Sequence, residues 1–180
     1  MAWLAFMKEV VRSYKTTGAI APSSRELADA ITDLARLKGV KRVVEYGPGE
    51  GIFTEAILRK LDPDAFFVSM EINPLLVEAT KRRCPAANVV QDSAENAINY
   101  LREAGHDACD VIVSGLPWTL FDEELQDRLL TATYDVLAPG GRFLTFAYVM
   151  SPLIQGGRRF LSGKLPQRFP KVRRVGPVWK

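Results

Sequence analysis

Two β-branched residues, an acid and three alternate glycines stand in a row at Val43-Val44-Glu45-Tyr46-Gly47-Pro48-Gly49-Glu50-Gly51. An apolar run that ends in glycines predicts a buried strand that breaks into a tight loop and opens a helix near Ile52. Glycine suits such a loop because a Cβ would obstruct the turn and the close approach of a nucleotide-like ligand. The spacing separates ligand classes. Dinucleotide folds carry G-x-G-x-x-G, with the pyrophosphate on the helix N-terminus. Here the pattern is E-x-G-x-G-x-G, which argues against a nicotinamide cofactor.

The rest of the chain alternates. Short β-branched runs at Arg42–Tyr46, Phe66–Glu71, Asn88–Gln91, Asp110–Ser114, Arg142–Val149 and Val172–Trp179 read as six strands. Helical patterns lie between them at Ile52–Lys60, Pro74–Arg83, Ala94–Ala104 and Asp122–Leu137. Strands separated by helices of this length imply right-handed crossovers and a mostly parallel, doubly wound α/β sheet. Two helices precede it. Trp3, Leu4, Met7, Val10, Val11 and Tyr14 recur at helical spacing, so residues 2–15 read as an amphipathic helix. Ser23, with Glu26 three residues on, gives the capping-box signature of a second helix over 24–37, which Gly39 ends. The expected division is therefore N-terminal helices over 1–38 and an α/β domain over 39–180.

At 180 residues with 47% hydrophobic content the chain can bury one proper core. Cys84, Cys109 and the single His106 stand in no metal-ligand spacing, so neither a zinc site nor a disulfide framework is expected. No run approaches the ~18 apolar residues of a spanning helix. The apolar start lacks a basic n-region and is interrupted by Lys8 and Glu9, which argues against a secretory signal and for a cytoplasmic protein. The net charge of +3 hides an asymmetry. Residues 151–180 carry eight bases (Arg158, Arg159, Lys164, Arg168, Lys171, Arg173, Arg174, Lys180) and no acid, leaving 16 bases against 21 acids before them. An acidic body with a basic final section suits a polyanionic partner, and equally a solvated basic surface.

In an open α/β sheet the ligand lies at the carboxyl ends of the strands. After the first strand come Glu45, Tyr46 and the Gly47-Pro48-Gly49-Glu50-Gly51 loop. After the second comes Glu71-Ile72, whose carboxylate can accept both hydroxyls of a ribose. After the third come Asp92-Ser93-Ala94, where Asp92 could accept from an adenine amino group; either Asp92 or Ser93 equally suits a helix cap. After the fourth come Ser114-Gly115-Leu116-Pro117-Trp118. In this order, and with Pro139-Gly140-Gly141 before the fifth strand, residues 20–149 resemble the class I S-adenosylmethionine (SAM) methyltransferases. The resemblance implies a Rossmann-like fold and SAM as cofactor, held by Glu45, Tyr46, Gly47, Pro48, Gly49, Gly51, Glu71, Ile72, Asp92, Ser93 and Ala94. Class I enzymes normally finish with a hairpin as a seventh strand. Only six strands are counted here.

The turn after the fourth strand bears on the acceptor. It resembles the Asn-Leu-Pro-aromatic turn of the rRNA adenine dimethylases, with Gly115 in place of the Asn. Together with residues 17–24, Gly115-Leu116-Pro117 is similar to the bacterial phospholipid N-methyltransferases, which convert phosphatidylethanolamine toward phosphatidylcholine. That resemblance implies that residues 18–24, including Ile20 and Ser23, lie against the SAM site, and that the first helix docks on the membrane. Ser114, Gly115, Leu116 and Pro117 are then expected to orient the substrate amine, with Trp118, Tyr46 or Tyr148 beside the growing ammonium. The expected partner is a phospholipid surface on the inner membrane face, met by residues 2–15 and by Arg158, Arg159, Lys164 and Arg168. The alternatives are an RNA adenine N6-methyltransferase that uses the same bases on a phosphodiester backbone, a small-molecule methyltransferase, and a non-catalytic binding module of the same fold.

Overall fold

The computed structural model describes residues 24–149, 151–153 and 155–178. The helix expected over 2–15, and the candidate residues Ile20 and Ser23, lie outside the described residues. Helix α1 spans Arg25–Ala35 and is capped by Ser24, whose hydroxyl accepts from the Leu27 N–H; the cap falls one residue after the Ser23 expected for it. Then follow β1 (Arg42–Tyr46), α2 (Ile52–Lys60), β2 (Phe66–Glu71), α3 (Pro74–Arg83) and β3 (Val89–Gln91). A 3-10 turn at Ala94–Asn96 leads into α4 (Ala97–Glu103), so the helix expected over Ala94–Ala104 begins with a tighter turn. The second half holds β4 (Cys109–Ser114), a 3-10 turn (Trp118–Leu120), α5 (Glu123–Val136) and β5 (Leu137–Thr145).

Five parallel strands pair in the order β3-β2-β1-β4-β5. Alternate residues of β1, β2 and β4 point to opposite faces, and both faces are covered. On one, Val44, Tyr46, Val68, Met70 and Ile112 pack with Leu101, Leu125, Leu129 and Phe160. On the other, Val43, Phe67, Val111 and Val113 meet Ala28, Ile31, Phe53 and Ile57. This is why the strands read as unbroken apolar runs. The order reverses between β1 and β4, so the crevice forms at their carboxyl ends.

Two expectations need correction. Strand β5 starts at Leu137, and its register on β4 jumps from Cys109↔Leu137 to Val111↔Arg142, so the Pro-Gly-Gly segment bulges out of the ladder. Residues 172–178 form no regular secondary structure, so the expected strand Val172–Trp179 is absent there; Pro177 supplies no N–H to a ladder and the whole segment is exposed. Residues 155–168, to which the sequence pattern assigned no element, are helical: α6 (Gln155–Arg158), a π turn (Arg159–Lys164) and α7 (Leu165–Arg168), after a 3-10 turn at Ser151–Leu153. This run packs Phe160 and Phe169 on the sheet face that α5 also covers. Among the described residues no helix is long and apolar enough to cross a membrane.

Candidate active site

The glycine loop leaves β1 over the reversal point. Gly47 donates its N–H to the Met70 carbonyl (2.9 Å), and Gly51 donates to Pro48 (2.9 Å). Gly49 has φ +60 and nothing within 4 Å of where a Cβ would stand, so its conformation demands glycine and the space above it is open. Gly47 and Gly51 share the left-handed region. Helix α3 fastens the loop from behind: Thr80 donates its hydroxyl to the Gly49 carbonyl (2.9 Å), and Arg83 Nε donates to the Glu50 carbonyl (2.7 Å). Sequence reasoning missed both residues, since a Thr and an Arg on a helix carry no motif of their own.

Glu71 ends β2 beside this loop, 4% exposed. Its Oε1 accepts from the Asn73 N–H at 2.9 Å. Burial raises its pKa, opposed by the N–H groups of Asn73, Gly49 and Ile72. A buried carboxylate fed by loop N–H groups, next to an open glycine loop, suits a ribose diol.

Glu45 is fully buried under the loop. Its Oε2 accepts from the hydroxyls of Thr54 on α2 and Ser69 on β2, both at 2.7 Å, while Oε1 has no partner. Burial pushes its carboxyl up to about 7, against the pull of the two hydroxyls. Tyr46 points to the other face, wholly inside the core; its ring is not placed to meet an ammonium.

After β3, Asp92 Oδ1 accepts from Ser93 N–H (2.7 Å) and Asn96 Nδ2 (2.8 Å), and Oδ2 accepts from the Tyr100 hydroxyl (3.1 Å). Ser93 caps the 3-10 turn by accepting from Glu95 N–H. The capping alternative therefore accounts for Ser93, whereas Asp92 is held by Ser93, Asn96 and Tyr100 and caps no helix; Ala94 is buried.

The turn after β4 is a built piece of core. Gly115 N–H donates to the Tyr46 carbonyl at 2.7 Å, joining the turn to the glycine loop. A Cβ at Gly115 would collide with the Gly47 carbonyl oxygen, and one at Gly47 would come within 2.7 Å of Leu116 Cδ2. No side chain fits at position 115. Ser114 is buried; its hydroxyl accepts from Trp118 Nε1 (2.9 Å) and Leu116 N–H (3.3 Å). Trp118 is 1% exposed, stacked on Phe160 (5.0 Å, 13°) and edge-on to Phe143. The expectation that Trp118 meets substrate is overturned: both its ring and its N–H are spent internally. Tyr148 remains at the surface, edge-on to Phe146, which in turn meets Phe53 at the start of α2 (5.8 Å each). The Phe53–Phe146–Tyr148 row leads from the glycine loop to solvent. Phe53 and Phe146 were not singled out in the sequence, because apolar aromatics there read as core.

Three of the four bases expected to face a partner are engaged by α5. Arg159 pairs with Glu123 (3.4 Å), Lys164 with Glu123 and Asp127, and Arg168 donates to Thr131 (2.7 Å). These are successive turns of one face of α5. Arg158 is exposed and makes no ion pair among the described residues.

Five parallel strands, a left-handed glycine loop at the reversal point and a buried acid after the second strand define a class I SAM-dependent methyltransferase. The chain belongs to that family: residues 43–141 match the methyltransferase domain. It is 30% identical over 141 residues to an ornithine lipid N-methyltransferase of Singulisphaera acidiphila, covering 77% of this chain and 73% of that one. Among solved structures, the O-methyltransferase TomG of Streptomyces achromogenes in complex with SAM matches with a TM-score of 0.56 at 19% identity, over 78% of this chain and 68% of TomG. A TehB-like SAM-dependent methyltransferase of Corynebacterium glutamicum matches at 0.53 and 16% identity, over 86% and 81%. Other neighbours of this fold are longer, and the chain spans 49% and 56% of two of them.

The cofactor of the class is SAM, and the residues fit it. The open space over Gly49 and the buried acceptor Glu71 offer room for a nucleoside and an acceptor for its sugar, and the unpartnered Glu45 Oε1 leaves one free acceptor under the loop.

Proposed function

We propose that this protein transfers a methyl group from SAM to the amine of a lipid headgroup, with phosphatidylethanolamine as the acceptor. Bound SAM supplies an electrophilic methyl group to a neutral amine. Glu71 would take the ribose hydroxyls, and the Gly47–Gly51 loop would let the donor approach the backbone. Glu45, held by Thr54 and Ser69, lies under the loop, where the positive end of the donor would favour its ionised form. The single observation that carries the acceptor assignment is the collision at Gly115. With no room for a side-chain amide there, and with Trp118 locked under Phe160, the turn lacks the pieces that would hold and stack a planar base. What it presents is backbone. The Gly115 carbonyl accepts no hydrogen bond among the described residues, whereas those of Ser114, Leu116 and Pro117 do. A lone carbonyl suits an N–H of a flexible primary amine, and positioning against it would supply most of the rate. The lipid N-methyltransferase relative supports an amine on a lipid as the target.

The test is transfer of radiolabelled methyl from SAM into phosphatidylethanolamine vesicles, run beside ornithine lipid and ribosomal RNA. Label in phosphatidylethanolamine supports the reading. Label in ornithine lipid alone moves the headgroup, and label in RNA alone overturns the lipid acceptor.

A further inference from the structure

Where the sheet ends, apolar side chains stand out in solvent. Val149 and Leu153 are each 69% exposed, and Leu120 and Tyr148 about 40%. They follow the two strands that flank the acceptor turn: Leu120 lies in the 3-10 turn after β4, and Tyr148, Val149 and Leu153 lie between β5 and α6. These segments form one knot. Gly156 and Gly157 of α6 sit so close to the Thr119 and Ser151 carbonyl oxygens that a Cβ at either would collide, and Gln126 Nε2 ties the Trp118 carbonyl (2.7 Å) and the Gly156 carbonyl (3.5 Å) together. The exposed side chains thus ride on a braced base, and Tyr148 among them is one ring contact from Phe146 and two from Phe53 at the start of α2.

The charges around them divide by element: the acids Asp122, Glu123 and Glu124 open α5 beyond Leu120, whereas the segment that carries Val149, Leu153 and Arg158 holds bases only. No acidic residue follows Asp135 in the sequence. Arg158, on the same knot, is exposed without an ion pair among the described residues, in contrast to Arg159 and Lys164, which α5 neutralises.

We propose that Leu120, Val149 and Leu153, rimmed by Arg158, form a docking face for an anionic lipid bilayer, which seats the acceptor turn at headgroup level. This rests on the lipid-acceptor reading above, and it places the contact on Leu120, Val149, Leu153 and Arg158 and not on the bases of the π turn. Aliphatic side chains with a base beside them match an interface of acyl chains and anionic headgroups. A phosphodiester backbone would have no use for exposed Val149 and Leu153.

The experiment compares the full chain with its V149D/L153D variant by flotation on vesicles of equal parts phosphatidylcholine and phosphatidylglycerol. Both positions are exposed, and calorimetric titration with SAM confirms that the variant keeps its fold and donor site. The expected result is flotation of the wild type, and at least about a tenfold loss of partitioning in the variant. Methyl transfer to phosphatidylethanolamine should fall in parallel on vesicles and persist on detergent micelles, where no bilayer has to be met. Equal flotation of the two proteins, or none by the wild type, overturns the docking face even when methyl transfer to lipid continues. Flotation lost in the variant, with no lipid methylated by either protein in either format, upholds the face and removes the acceptor reading.

Discussion

The half of the molecule from β1 to β3, to which we assign the donor, and the half from β4 to α7, to which we assign the acceptor, stand on opposite sides of the reversal point and are held differently. On the donor side the loop conformation comes from the chain itself: left-handed glycines, a strand on each side, and Glu71 two residues before its own hydrogen-bond donor. On the acceptor side almost nothing is local. The Ser114–Trp118 turn keeps its shape because Trp118 is gripped by Ser114, Phe143 and Phe160, and Phe160 comes from 42 positions further along the chain. A binding loop can be written in a short motif, whereas a packed turn depends on residues that the motif does not contain.

That contrast is open to a direct break at Trp118. If its ring is core, Trp118→Ala should cost about 3–5 kcal/mol in urea unfolding. A ring reserved for substrate would leave stability nearly unchanged and lower activity alone. Trp118→Phe keeps the stacking partner of Phe160 but drops the bond to Ser114, so it should recover most of the loss.

The donor side holds its own buried liability in Glu45. Its carboxyl is raised from 4.5 to about 7 by burial. Below the ordinary value both folded and unfolded chains hold the proton, and Glu45 costs nothing. As pH rises through this window the unfolded chain ionises first, so folding loses up to about 3 kcal/mol by pH 8. Urea midpoints across pH 4–8 should show this decline, and Glu45→Gln should flatten it. A wild-type curve that stays level would mean that Glu45 is solvated.

Next in size is Glu71→Ala, which should weaken SAM binding about a hundredfold in calorimetry, the loss of two charge-assisted hydrogen bonds. Unfolding stability should change little, because burial already raises the pKa of this carboxyl. Unchanged SAM affinity would mean that the sugar lies elsewhere along the strand ends.

The same division explains what could be read in advance. Strands β1, β2 and β4 and helices α2 and α3 were legible because their apolar periods agree with their caps and glycines. Glu45 and Glu71 were legible from strand endings alone. Trp118 was misread because a Pro-Trp turn looks alike whether the ring faces a substrate or a phenylalanine from the far end of the chain. The stretch after Ser151 was legible only in part, for a related reason. Its bases suited a polyanionic partner or a solvated surface, and the acids that neutralise Arg159 and Lys164 lie on α5, at a distance where no local pattern reveals the pairing.

The smallest effect bears on what fastens that final section. Lys164 is nearly covered, but its partners Glu123 and Asp127 are more than half exposed. Ion pairs open to water on one side contribute at most about 1 kcal/mol and fade with salt. Lys164→Met keeps the apolar stem, so it should destabilise by about 0.5–1 kcal/mol at low ionic strength and by less in molar salt. That result would leave Phe160 and Phe169 as the main fasteners of the helical run, consistent with a large cost at Trp118. A loss above about 2 kcal/mol, shrinking steeply with salt, would reverse the weighting. The acceptor turn would then be braced by charge, and any polyanion that competes for Lys164 would loosen it.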